Sequence, residues 1–375
     1  MELILQTGLT HQQKAVDSIA DVFLNTSISQ PNQYYSNPGI SPDNVLFGNI
    51  QEVQKVNELH SSLRALSKEV APLHLDIKME TGTGKTYVYT HAIYELHHRY
   101  GINKFVVVVP SLPIKAGAEQ FLGDGYVQKH FTNTCGYGAQ IELYTLKAQA
   151  KKKGKTFFPS AVRAFVEGSN QTSNRIYVLL TNMQLLTNGT MLSRSDYDFG
   201  VHGYYRPFDA LAATKPFVII DEPHRFQRDQ KAYERISEEL IPQCIVRFGA
   251  TFPEITTGKG KNKTAGKDYL NLLYDLNACD SFNQNLIKGV AKEHFEPQSS
   301  RDEKIKITAI ENKTSATFNH ITANDRRSYT LQTGDSLSVI SEELKGLSIT
   351  GIGKNFVEFS NGQEKFTGEE FTVDI

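Results

Sequence analysis

"HLDIKMETGTGKTYVY", residues 74–89, is the stretch that decides the fold. An alternating apolar run leads into a turn with two glycines, and a helical pattern over 85–100 follows. Gly82, Gly84, Lys85 and Thr86 make T-G-x-G-K-T, with Thr81 and Thr83 filling the loop. Glycines let backbone N–H groups wrap a phosphate without Cβ clashes. The helix that follows adds the positive end of its dipole. Such a lysine reaches the β and γ phosphates as a point charge. The Thr86 hydroxyl is then a ligand for Mg²⁺. The full phosphate-loop pattern has glycine five residues before Gly84, and Met79 stands there.

Outward from this loop, short apolar runs alternate with helical stretches from about residue 73 to 252. The expected strands are 74–79, 104–109, 140–145, 175–181, 216–220 and 244–249. Runs such as "FVVVVP" and "FVII" are apolar on both faces, as buried parallel strands are. This alternation predicts an α/β fold: a doubly wound, mainly parallel sheet with helices on both faces. Ligands sit at the carboxyl ends of the strands in such sheets. Upstream, residues 10–25 predict a helix with Thr10 as cap and Ala15, Val16, Ile19 and Phe23 on its inner stripe. A second helix is expected over 50–70.

"FVIIDEPHRF" (217–226) delivers a second set of chemical groups to a strand end. Asp221 at that place holds Mg²⁺. Glu222 beside it suits a general base acting on water. His224, two residues further, is placed to sense the γ-phosphate and couple to other motifs. Lys85, Asp221, Glu222 and His224 are therefore the candidate catalytic residues, and ATP with Mg²⁺ the expected ligand pair.

The 375-residue chain has a formal net charge of −1, 39% hydrophobic and 22% charged residues. This is ordinary globular composition and offers no whole-chain argument for nucleic acid. Cys135, Cys244 and Cys279 are far apart, so neither a zinc site nor a disulfide framework is indicated. No apolar run is long enough to cross a membrane and the N-terminus lacks a signal-peptide pattern. A cytoplasmic location is expected.

The D-E-x-H pattern, with the phosphate loop upstream, resembles the first RecA-like motor domain of superfamily-2 helicases. More closely, "METGTGKTYVY", "VVVVPSLPIKAG", "LLTNMQLL", "IIDEPHRF" and "FGATFP" look like the Res subunit of type III restriction enzymes. The resemblance covers roughly residues 5–295. It implies an ATP-driven motor acting on double-stranded DNA with a Mod methyltransferase partner. Carried over by motif, it makes Gln12 the adenine-reading glutamine. Ser111 and Lys115, and then Thr181 and Asn182, are similar to the strand-gripping motifs. Gly249, Ala250 and Thr251 resemble the motif that couples ATP state to DNA grip; the family commonly has serine where Gly249 stands. The lysine-rich runs 147–155 and 256–267 are read as solvated loops with a secondary chance of lining a DNA path.

Residues 1–295 are expected to form the ATP-binding domain and 296–375 a β-rich appendage of short alternating stretches, with Asn361-Gly362 as a type I′ hairpin turn. Asp302 with Glu311 and Lys313 imitates a nuclease metal motif, at the level expected by chance. A second RecA-like domain and a nuclease domain are missing from the pattern, so the chain reads as a portion of a longer protein or a truncated product. The competing reading is a remnant that binds nucleotide or partner without turnover, or a fragment of another superfamily-2 helicase.

Overall fold

The computed structural model describes residues 5–64, 66, 72–148, 157–171, 174–187, 190–257, 264–287, 303–322 and 325–372. The chain divides into two compact units, 1–289 and 290–375.

The first unit is built on seven strands. These are β1 (Leu73–Met79), β2 (Lys104–Val109), β3 (Gln140–Thr145), β4 (Arg175–Asn182), β5 (Phe217–Asp221), β6 (Cys244–Gly249) and β7 (Leu272–Leu276). Their order is β7-β1-β6-β5-β2-β4-β3, and every neighbouring pair is parallel. The doubly wound parallel sheet expected from the sequence is present. Alternate residues of β2 separate cleanly between two cores: Val107 and Val109 on one face, Val106 and Val108 on the other. Helices α1 (Thr10–Ala20), α2 (Asn44–Val56), α3 (Lys85–Tyr100) and α4 (Leu112–Gly123) supply the first core. Helices α5 (Ser160–Glu167) and α6 (Pro207–Ala213) supply the second.

Three sequence expectations need correction. Thr10 is the first residue of α1, not its cap; Leu9 holds the cap position and its carbonyl accepts from the Gln12 and Gln13 amides. The second helix runs over Asn44–Val56 instead of 50–70. Asp43 caps it by accepting from the Leu46 N–H, and Glu58 just beyond its end adopts φ +53°. Leucines 59 and 63 therefore lie past the helix, and residues 65 and 67–71 lie outside the described residues. The strand β7 was not foreseen. It is five residues long and follows a polar segment, so its apolar run is too short to separate from loop.

One patch of the sheet departs from the apolar rule. On β1, His74 and Asp76 point to the face opposite Leu75 and Ile77. Asp76 sits beside Arg247 of β6 in register and receives Nε and Nη2 of its guanidinium, both at 2.7 Å. Both side chains are fully buried. A buried charge is tolerated only when paired and hydrogen-bonded. The pairing extends to Asp268, whose backbone carbonyl accepts from Arg247 Nη2 at 2.6 Å.

The second unit holds two antiparallel sheets, from β8 (Lys304–Glu311), β9 (Ser315–Ile321), β10 (Arg326–Gln332), β11 (Ile349–Ile352), β12 (Phe356–Phe359), β13 (Glu364–Phe366) and β14 (Glu370–Thr372). Their orders are β10-β9-β8-β14 and β11-β12-β13. Ile305, Phe318, Leu337, Val357 and Phe359 are among its buried core residues. The β12–β13 turn is not type I′. Gly362 has φ +80°, but Asn361 stays out of the left-handed region, whereas type I′ needs both central residues there. The Gly362 amide instead bonds the Phe359 carbonyl, placing only the glycine in the left-handed region. Glu311 ends β8 and Lys313 lies in the turn after it; Asp302 lies outside the described residues, and no cluster of metal-ligating side chains occurs among those described.

Candidate active site

The phosphate loop spans the gap between β1 and α3. Gly84 stands at the head of α3 with φ +92°, a conformation that costs a residue with a Cβ far more than it costs glycine. A Cβ there would also lie 2.5 Å from Gln12 Nε2. The approach is that close because α1 rests on the loop: Gln12 Nε2 donates to the Thr83 carbonyl at 3.3 Å, and His11 Nε2 lies 3.1 Å from the same oxygen. Thr83 is buried and bonds back to the Glu80 carbonyl, while Thr81 is exposed.

A cavity of about 660 Å³ opens above the loop. Gln12, Gly82, Lys85, Thr86, Asp221 and Glu222 all face it. Three chain segments far apart in sequence thus converge at the carboxyl ends of β1 and β5. Sequence reading did not find the apolar wall of this cavity, where Leu9, Tyr87, Ile114 and Phe121 stand. Nothing in the sequence marks Ile114 and Phe121 as neighbours of the loop, since only the packing of α4 beside α3 brings them there.

Lys85 Nζ lies 3.2 Å from Glu222 Oε1. Asp221 is 7% exposed and its Oδ1 has no hydrogen-bond partner. Burial, reinforced by the neighbouring Glu222 and opposed by Lys85, pushes its carboxyl up to about 6. A carboxylate oxygen left bare and disfavoured as an anion is a position that gains from a cation. With Thr86 on the same cavity, the donor set suits Mg²⁺.

Glu222 adopts φ +58° and its N–H donates to the Phe248 carbonyl at 2.9 Å. That turn aims its carboxylate at Lys85. His224 Nδ1 lies 3.4 Å from Glu222 Oε2 and 2.9 Å from the Thr251 hydroxyl. A continuous polar path therefore runs from Lys85 through Glu222 and His224 to Thr251. Gly249, at the end of β6, explains its own identity: a Cβ there would lie 2.5 Å from Pro223 Cδ and 2.9 Å from the Thr251 carbonyl.

The family described as type III restriction enzyme, res subunit, matches residues 10–255. The chain belongs to the Res family of type III restriction enzymes. It is 42% identical over 293 residues to the StyLTI Res subunit of Salmonella typhimurium, a match covering 76% of this chain and 27% of that protein. It is 34% identical over 368 residues to the EcoPI Res subunit of Escherichia phage P1, covering 96% of this chain and 36% of that protein. Identity to the EcoP15I Res subunit of Escherichia coli is 33% over the same length and shares. The chain spans about a third of the length of these curated relatives.

The residues expected to grip DNA in this Res chain fare unevenly. Ser111 is half-buried at the head of α4 and makes no capping hydrogen bond. Lys115 needs correction as a phosphate contact. Its Nζ is turned inward and donates to the Leu146 carbonyl, and burial lowers its pKa. Thr181 and Asn182 close β4 as expected, but both are 1% exposed, with Thr181 Oγ1 and Asn182 Oδ1 enclosed. They do not reach a surface that a DNA backbone could touch here. Ala250 is half-buried and Thr251 exposed. Most of the lysine-rich run 147–155 and the tip of 256–267 lie outside the described residues. No helix among the described residues is long and apolar enough to cross a membrane.

Proposed function

We propose that this Res chain binds ATP with Mg²⁺ in the 660 Å³ cavity and forms the nucleotide-binding part of an ATP-hydrolysing motor on duplex DNA, acting with a Mod methyltransferase. The observation that carries the reading is the meeting of Lys85, Thr86, Asp221 and Glu222 in one cavity, with Lys85 and Glu222 in contact at 3.2 Å.

Each residue has a task. The amides of Thr81 to Lys85 and the α3 dipole cradle phosphate oxygens. Thr86 and Asp221 would hold Mg²⁺, which would supply charge to offset that of the phosphates. Lys85 exchanges its carboxylate partner for a phosphate. That exchange releases Glu222 to take a proton from the attacking water. His224 and Thr251 hold the turn that presents Glu222. Gln12 secures the phosphate loop through Thr83 and keeps its amide on the cavity wall, within the space left for adenine. Ser111 is the retained candidate for a DNA phosphate.

Lys85→Ala should lower ATP affinity roughly 10- to 100-fold by titration calorimetry, the worth of a charge-assisted hydrogen bond, with an unchanged circular dichroism spectrum. Equal affinity in the variant removes the assignment. Glu222→Gln should bind ATP normally and reduce turnover by about 100-fold or more in the ATP-hydrolysing assembly. A wild-type rate would hand the base role to another group.

A further inference from the structure

We propose that Arg228 and Asp268 are positioning residues for the turn that carries Glu222 and His224. This inference rests on the ATP-site reading above and goes beyond it by adding two residues that touch no cavity atom.

His224 and Thr251 join the β5 turn to the segment after β6 at 2.9 Å. The Glu222 N–H fixes the start of the turn on the Phe248 carbonyl at 2.9 Å, but at its far end the bond joins an exposed threonine to a half-buried histidine. Four residues past His224, Arg228 makes a second connection. Its Nε and Nη2 donate to the two carboxylate oxygens of Asp268, at 3.0 and 2.6 Å. Asp268 in turn is fixed to the other end of the same joint: its N–H donates to the Pro253 carbonyl at 2.9 Å, two residues past Thr251. The chain therefore forms a closed ring, from His224 to Thr251, along to Pro253, across to Asp268, across to Arg228 and back to His224.

Asp268 is also anchored to the sheet. It is 2% exposed, and Arg247 Nη1 approaches its carboxylate at 3.3 Å while Arg247 is locked on Asp76 of β1, the strand that leads into the phosphate loop. Phe252 lies against Arg247, with the guanidinium 5.4 Å from its ring centre, and packs on Tyr269. The bidentate guanidinium–carboxylate fork adds geometric specificity as well as energy. Anchors at both ends define the orientation of a turn that anchoring its start alone does not. Asp268 thus tethers the β5 turn to the strand behind the phosphate loop, so Glu222 and Lys85 share one frame.

The test compares Arg228→Ala and Arg228→Lys with Thr251→Ala. Arg228 is half-exposed at the edge of the network, so its removal leaves Arg247 and Asp76 paired. Three quantities are read: ATP affinity, ATP turnover in the hydrolysing assembly, and the His224 ring signals by ¹⁵N-edited NMR on this chain. Arg228→Ala should leave ATP affinity within about twofold, lower turnover roughly 10- to 100-fold through misplacement of the base, and shift the His224 ring signals as Thr251→Ala does. Arg228→Lys, which restores charge without the fork, should recover only part of the turnover. Unchanged His224 signals in Arg228→Ala overturn the inference, as does a loss of affinity parallel to the loss of turnover, which would mark general disruption. Failure of the wild type to bind ATP would sink the ATP-site reading instead, and the His224 signals would still report whether the strap holds the turn.

Discussion

At the scale of single residues, Gly249 shows how a family position can depart from its common residue for a steric reason. The ring of Pro223 occupies the space that a serine side chain would need, 2.5 Å from the Cβ position. Gly249→Ser should therefore cost about 1–3 kcal/mol of stability, the range of overpacked sites, in urea unfolding. Pro223→Ala in the same chain should recover part of that loss, the Thr251 carbonyl at 2.9 Å keeping the rest; no recovery would place the strain elsewhere. His74 offers a second test. Burial, together with Arg247 and Arg228, pushes it down to about 3 from its ordinary 6.5. The folded state thus resists a proton that the unfolded chain accepts. Stability is full above pH 6.5 and falls as pH drops through 6.5 toward 3, with a slope of at most about 1.4 kcal/mol per pH unit from this residue. His74→Gln should show a shallower fall than the wild type between pH 6.5 and 4; parallel curves would mean that His74 is protonated in the fold.

At the scale of elements, legibility followed the length and pattern of the run more than burial: β3, with one buried residue, is readable to the residue, while the largely buried five-residue β7 is not. Strands such as β2 and β6 were readable to the residue because every side chain is apolar or enclosed. The Asp76–Arg247 pair hides in the same strands, since a charged residue in an apolar run gives no hint of its partner 171 positions away. Arg247→Met should be destabilising by about 3–5 kcal/mol, because it strands Asp76 without a counter-charge. Removing both, with Asp76→Leu added, should cost less than the single change, as measured by denaturant unfolding. The chemistry at strand ends was legible for the same reason as the strands: Asp221 and the loop at Gly82–Thr86 follow apolar runs directly. What spacing could not supply was direction. Lys115, Thr181 and Asn182 stand at the expected strand ends and helix heads, yet their polar atoms face inward. Neither Arg228–Asp268 nor the Gln12–Thr83 contact has a sequence signal, because each joins segments whose approach is set by packing alone.

At the scale of the molecule, the cavity has one cation. Among the described residues no arginine lines it, and Lys85 is the one cationic side chain on its wall. Arginine fingers contribute about 10³–10⁵ in rate in other phosphoryl-transfer systems. Residues 1–375 alone should therefore bind ATP yet turn it over slowly, and should leave DNA uncut. Robust DNA-stimulated turnover by this chain would overturn that expectation. The buried pairing of Asp76, Arg247 and Asp268 has a practical consequence here. Dissolved ions screen exposed charges over about 10 Å at 0.1 M but scarcely reach enclosed ones. Ionic strength should therefore leave the sheet intact while weakening contacts to a polyanion. A salt titration of the proposed DNA contact should therefore report counterion release, with the circular dichroism spectrum unchanged across the series.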